Sequence, residues 1–231
     1  MEKIPEQHFI KFNIMKLIYC TFIANLMFIS SFAQSNSQEI SHYLFPQFTQ
    51  GTVQMKSGIK QKTTLNYNSL TEEMVYEDQG KKLAIADESF NKIDTIFINN
   101  KRFIPIANKF LELIHHSKFN LFVEHKCKVT PPGKTTAFGG SSQTSTSIAV
   151  PSISYGGMRY ELKLPDGFKV HPYIYYWVMK DGISQRFTNL NQLKKIYRTK
   201  KDIFDKYVKQ HDIKYKNQED ITQLVIYLES N

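Results

Sequence analysis

The sequence predicts an α+β protein: an antiparallel, curved β-meander sheet followed by three short C-terminal helices. Two observations carry that expectation. From Gly51 to Val129 apolar residues recur at every second position between short polar turns, the alternation of half-buried strands. From Thr188 the apolar spacing changes to three and four, the period of helices, and strands followed by helices form segregated layers with the helices packed on one face of the sheet.

Taken in order, the chain opens on a targeting signal. Lys11 and Lys16 precede the apolar run Leu17 to Phe32, which leaves through Ser31-Phe32-Ala33, with small residues where a signal peptidase reads. Cleavage after Ala33 gives a mature chain beginning at Gln34, exported to the periplasm or beyond. Met15, directly before Lys16, competes with Met1 as the start. The alternative is an uncleaved anchor, for which the run falls short of the roughly 20 apolar residues that span a bilayer. A lipid anchor does not fit, because Cys20 lies near the start of the run. Once residues 1–33 are gone, Cys127 is the one remaining cysteine, so an internal disulfide is excluded. The removed segment holds three lysines against two glutamates, which takes the net charge from +9 to +8. Outside the cytoplasm such a charge points to lipid phosphate or acidic polysaccharide before nucleic acid.

After a polar spacer and Tyr43-Leu44-Phe45-Pro46, strands are expected around Val53 and Met55, Thr63 to Tyr67, Met74 and Tyr76, Leu83 and Ile85, Ile96 and Ile98, and Phe103 and Ile104. Turns at Ser57-Gly58, Asp78-Gln79-Gly80 and Asn99-Asn100 separate them, with residues that accept positive φ. Connections this short favour neighbours pairing in sequence. Phe110 to Ile114 fits a strand or a helical turn. Phe119, Leu121 and Val123 mark another strand, and period two puts His125 and Cys127 on their face.

Lys134 to Gly157 is rich in Gly, Ser and Thr, and no charge occurs between Lys134 and Arg159; such a segment buries little and is expected to be a mobile loop. Tyr160, Leu162 and Leu164 form a further strand. Tyr173 to Met179 and Ile183 to Phe187 flank Lys180-Asp181-Gly182, a hairpin signal. Helical stripes follow at Leu190, Leu193, Ile196 and Tyr197, at Ile203, Phe204, Tyr207 and Val208, and at Ile221, Leu224, Val225 and Leu228. Asn217 is placed to cap the last of these. The expected organisation is thus a signal over residues 1–33, a β domain over 34–187 and a basic helical tail over 188–231.

The signal exit Ser31-Phe32-Ala33-Gln34, the stretch Gly51-Thr52-Val53-Gln54-Met55-Lys56-Ser57-Gly58, Leu65-Asn66-Tyr67-Asn68, Glu73-Met74 and the lysine-rich tail ending near Leu224 to Leu228 together resemble exported proteins of unknown function common in Bacteroidota. The resemblance spans most of the mature chain and implies export and a similar fold. It carries over no catalytic residue.

Candidate chemistry is sparse. Gly133-Lys134-Thr135 resembles the end of a phosphate loop, but the glycine required five residues before Gly133 is Lys128. His115, His116, His125 and Cys127 include zinc-type ligands at spacings that match no zinc pattern, and His125 and Cys127 continue an apolar face where an inert thiol belongs. No metal, cofactor or nucleic-acid partner is expected.

Tyr173, Tyr175 and Trp177 share one face of their strand, suited to a sugar or apolar ligand, although aromatics also serve as strand formers and core filler. The tail from Lys194 to Lys216 holds nine basic residues against three aspartates. Lys194, Lys195, Lys200 and Lys201 are its candidates for contact with an anionic surface, against the plainer role of a solvated exterior. These features favour a non-enzymatic binding or interaction module of the cell envelope, with lipid, glycan or another envelope protein as partner. The alternative is an exported hydrolase whose site gathers His42, His116 or His171 with carboxylates brought near by folding.

Overall fold

The computed structural model describes residues 41–130, 134–135, 141–142, 164 and 168–231. The signal segment, the cleavage site and Tyr160 and Leu162 lie outside the described residues, as does most of the expected loop 134–157.

The alternation of the first half becomes eight strands: β1 (Thr49–Met55), β2 (Lys60–Asn68), β3 (Glu73–Asp78), β4 (Lys81–Ala84), β5 (Ile93–Ile98), β6 (Lys101–Ile106), β7 (Lys109–His116) and β8 (Asn120–Thr130). Lys134–Thr135 and Ser141–Ser142 pair as a two-stranded ribbon, β9 and β10, within the stretch expected to be a loop. β11 (Lys169–Lys180) and β12 (Ile183–Phe187) complete an antiparallel sheet of ten strands in the order β12-β11-β8-β7-β6-β5-β1-β2-β3-β4. Turn chemistry sets several of the reversals: Asn99 has φ 53°, and Asp181 and Gly182 have φ 50° and 75°, the left-handed pair that a tight hairpin needs.

Sequential pairing holds within β1 to β4 and within β5 to β8, but β5 joins the sheet beside β1, not β4. The four residues of β4 are exposed or half-buried and present little apolar surface to a further strand. A short helix, α1 (Asp87–Phe90), turns the chain back, and Phe90 packs against Phe110 at 4.9 Å between ring centroids. Four residues are too few to show a helical period, so α1 was not predictable from spacing.

The β1·β5 junction has a steric requirement at Gly51, which pairs with Ile98. A Cβ there would lie 2.6 Å from the Phe97 carbonyl oxygen and 2.8 Å from Leu65 Cδ1. The leucine end can rotate away, whereas the carbonyl is fixed in the ladder. Gly51→Ala is therefore expected to cost about 1–3 kcal/mol, read as a lowered urea midpoint; an unchanged midpoint would show that the β1·β5 pairing gives way freely.

One cross-strand row organises the inner face. Val53, Ile96, Phe103, Glu112, Val123, Tyr176 and Phe187 stand opposite one another in turn across β1, β5, β6, β7, β8, β11 and β12. All are buried, and six of the seven are apolar. Glu112 interrupts the row near its middle, between one apolar cluster centred on Leu65, Tyr67, Ile98 and Phe103 and another centred on Val123, Tyr176 and Phe187.

The second cluster is completed by the C-terminal helices α2 (Leu190–Ile196), α3 (Lys201–His211) and α4 (Gln218–Ser230), with a 3-10 turn at Arg198–Lys200 between the first two. Asn189 Oδ1 accepts from Gln192 N–H and Asn217 Oδ1 from Glu219 N–H, so each cap satisfies a donor that its helix leaves open. α4 buries Ile221, Leu224, Val225 and Leu228, the predicted stripe. The helices thus cover the inner face of β8, β11 and β12 and share one core with it.

Candidate functional site

Because side chains alternate across a strand, burying Tyr176 and Val178 of β11 beneath the helices sends Tyr173, Tyr175 and Trp177 to the opposite, outer face. All three are half-buried. Tyr173 and Tyr175 meet edge to face at 5.3 Å, a favourable geometry for ring quadrupoles. Lys128 of β8 places its ammonium 5.6 Å from the Tyr173 centroid, and Arg186 of β12 places its guanidinium 5.1 Å from Tyr175 and 5.7 Å from Trp177. Each cation is held over a ring face, and among the described residues neither has an ion-pair partner. Burial first, then the nearby Tyr175 and Glu72, push the Tyr173 phenol up to about 12, so it stays a hydrogen-bond donor at neutral pH.

Beside this ladder lies a closed charge network. Glu124, opposite Tyr175, is fully buried; its carboxylate accepts from Trp177 Nε1–H at 2.8 Å and from Lys109 Nζ at 2.6 Å. Glu72, on the β2–β3 turn, accepts from Lys109 at 2.5 Å and from Lys126. That turn is seated by a backbone bond from Cys127 N–H to Ser69 O, 2.9 Å long, although β1, β5, β6 and β7 stand between β2 and β8 in the sheet. Burial alone would raise the Glu124 carboxyl, but the bonds from Lys109 and Trp177, with the charges of Lys109 and Lys126, hold it below the usual range. Lys109 moves the other way: burial lowers it, and Glu124 and Glu72 more than restore it. Two lysines meet two glutamates, so the network is neutral, and Lys128 and Arg186 are the cations over the rings that have no ion-pair partner among the described residues.

The inner face carries a second polar group. His125 Nε2 lies 2.5 Å from Glu112 Oε2, and Lys101 Nζ donates to Glu112 Oε1 at 2.6 Å. Burial pushes Glu112 up, and His125 and Lys101 together bring it below its ordinary value. Cys127 shares the buried face predicted for it, and burial pushes its thiol up to about 12, which removes it as a nucleophile at neutral pH.

Of the histidines considered for a hydrolase, His116 and His171 lie far apart. His116 is exposed and bonds Asn120 through Nδ1 at 2.6 Å. His171 stands opposite Lys128 at the other end of β8, some 27 Å away at about 3.4 Å per residue. His42 is buried beside the end of β2, where its carbonyl accepts from Ser69 N–H. Among the described residues no group of three or more His, Cys, Asp or Glu is placed to hold a metal ion, and no helix is long and apolar enough to cross a membrane.

The four tail lysines divide. Lys194 pairs with the Asp205 carboxylate at 2.6 Å, and Lys200 donates to the Leu228 carbonyl at the end of α4, an internal use of positive charge at a helix C-terminus. Lys195 and Lys201 are exposed. Sequence reasoning missed Lys128 and Arg186, the cations that complete the aromatic face. Period two from Phe122 through Glu124 and Lys126 to Lys128 was the available signal, since it marks a strand face bearing charge. No family model, curated protein or solved structure matches the chain.

Proposed function

We propose that this chain is an exported, non-enzymatic binding module of the cell envelope: a curved sheet, backed by the C-terminal helices, that takes its ligand on the outer face of β11. Export rests on the signal-like segment before Gln34 and on the resemblance to exported Bacteroidota proteins. Curvature is supported by the bond from Cys127 of β8 to Ser69, just past β2, since four strands stand between β8 and β2 in the sheet.

The observation that carries the binding reading is the placement of Tyr173, Tyr175 and Trp177 on the face of β11 that the helices leave alone. Rigid aromatic surface with few rotatable bonds, flanked on one side by Lys128, Arg186 and the Glu124 network and on the other by Leu111, Leu113 and Phe122 packed against Trp177, is the composition of a recognition surface. As Trp177 is the one tryptophan in the chain, its emission reports this face directly. Titration with soluble glycans and lipid vesicles is expected to shift that emission and raise the melting temperature for at least one class, with the shift lost in Tyr175→Ala. If no class moves either signal, the binding reading falls. N-terminal sequencing of the exported product is expected to begin at Gln34.

A further inference from the structure

We infer that the ligand of this face is an acidic glycan chain, whose acid groups are met by Arg186 and Lys128 from above the rings of Tyr173, Tyr175 and Trp177; the inference rests on the binding reading just given. The first reason is charge. Glu72 and Glu124 are committed to Lys109 and Lys126, leaving Lys128 and Arg186 as cations without a counterion among the described residues. A polyanion laid along the rings meets both without displacing an internal ion pair.

The second reason is orientation. A guanidinium lying over Tyr175 and Trp177, 5.1 and 5.7 Å from their centroids, has its N–H groups without a hydrogen-bond partner among the described residues. A planar donor fork of this kind suits carboxylate or sulfate oxygens, and its pre-ordering reduces the entropy lost on binding.

Spacing supplies the third. Lys128 stands over Tyr173, and Arg186 over the interval between Tyr175 and Trp177. Three residues of strand separate those positions, about 10 Å. A single small anion cannot reach both, whereas an extended chain with an acid group on alternate sugars can, its ring C–H faces lying on the aromatics between them.

A bilayer fits less well. Insertion needs apolar side chains that stand above the charged level, and on this face the aromatics are half-buried beneath their cations. Ile183, at 64% exposure the most prominent apolar side chain of β12, lies on the opposite face from Arg186 by the alternation of the strand.

The test uses the full chain and four probes: polygalacturonate, its methyl-esterified form, galacturonate monomer and phosphatidylglycerol vesicles, each titrated against Trp177 emission at low and high salt. Polygalacturonate is expected to bind, more weakly at high salt. Arg186→Gln or Lys128→Gln should each reduce affinity about tenfold, as expected for one charge-assisted contact, with the melting temperature of the free protein unchanged because both side chains are exposed. Arg186→Lys should recover part of the loss. Equal binding of the methyl ester would overturn acid recognition while leaving the binding face in place. Monomer binding as tightly as polymer would overturn the two-point spacing, and binding to vesicles alone would replace the glycan with a membrane. Silence from all four would remove this inference, while the binding reading beneath it falls only if the wider titration with soluble glycans and vesicles is silent as well.

Discussion

Glu124→Gln is expected to destabilise the protein by about 3 kcal/mol at neutral pH, the lower end of the cost of removing one partner from a buried ion pair. The native carboxylate takes Trp177 Nε1–H on one oxygen and Lys109 on the other. Glutamine offers one acceptor, and its amide N–H groups face a donor whichever way it is turned. Either the indole or an ammonium then loses its partner. The cost stays at the lower end because Lys109 and Lys126, at 34% and 17% exposure, can recover water.

The pH dependence follows from the direction of the shifts. Glu124 and Glu112 are both held below the ordinary value of 4.5, so their contribution is complete above that value and disappears as pH falls through the depressed folded values. Lys109 is held above 10.5, so its part is complete below that value and is lost as pH rises through the raised one. The gap between wild type and Glu124→Gln, measured by urea unfolding followed by circular dichroism, is therefore expected to narrow below pH 4.5. A gap of constant size across the acid range would show that the deficit comes from packing and not from charge.

How much of this was legible follows from what each feature depends on. Strand parity is local, so the division of β11 into Tyr173, Tyr175 and Trp177 on one side and Tyr176 and Val178 on the other could be read directly, as could the Asp181-Gly182 hairpin. The Asn217 cap and the α4 stripe are local in the same sense. Phe110 to Ile114 resisted because Phe110, Leu111, Leu113 and Ile114 are apolar on both faces of β7, with only Glu112 polar, and period cannot be seen where nearly every position is apolar. The inward placement of Glu112 depends on His125 and Lys101, thirteen residues later and eleven earlier. The outer network is less local still, since Glu72 and Lys126 are 54 residues apart and Glu124 and Trp177 are 53. The β1·β5 pairing is non-local too: it depends on which apolar edge remained open once β4 had proved too short and exposed to offer one.

A chain ending at Phe187 is expected to lose cooperative unfolding, to bind an environment-sensitive apolar dye, and to aggregate. The sequence predicts a helical tail packed on the sheet, and the two share one core. Leu121, Val123, Tyr176, Val178 and Phe187 are buried against Leu193, Tyr197, Phe204 and the α4 residues. Ile221, Leu224, Val225 and Leu228 are each fully buried, and at roughly 1.5–3 kcal/mol per large apolar side chain these four alone contribute about 6–12 kcal/mol. That is comparable with the entire net stability of a typical domain, about 5–15 kcal/mol. Tyr215 ties the layers further, its hydroxyl donating to the Ile174 carbonyl at 3.0 Å and the Phe187 carbonyl at 3.3 Å, while Tyr176 donates to the Tyr215 carbonyl at 3.2 Å. Two milder variants grade the same claim: Leu224→Ala should cost about 2–5 kcal/mol, and Tyr215→Phe about 1 kcal/mol, both with the fold retained. Should the truncated chain instead unfold cooperatively, with native Trp177 emission, the helices would be an appendage and the inner face of β8, β11 and β12 would need another cover. Retention of the outer-face ligand by that truncated chain would go further, because the aromatic ladder keeps its geometry only while Tyr176 and Val178, on the alternate positions of the same strand, stay fixed in a core.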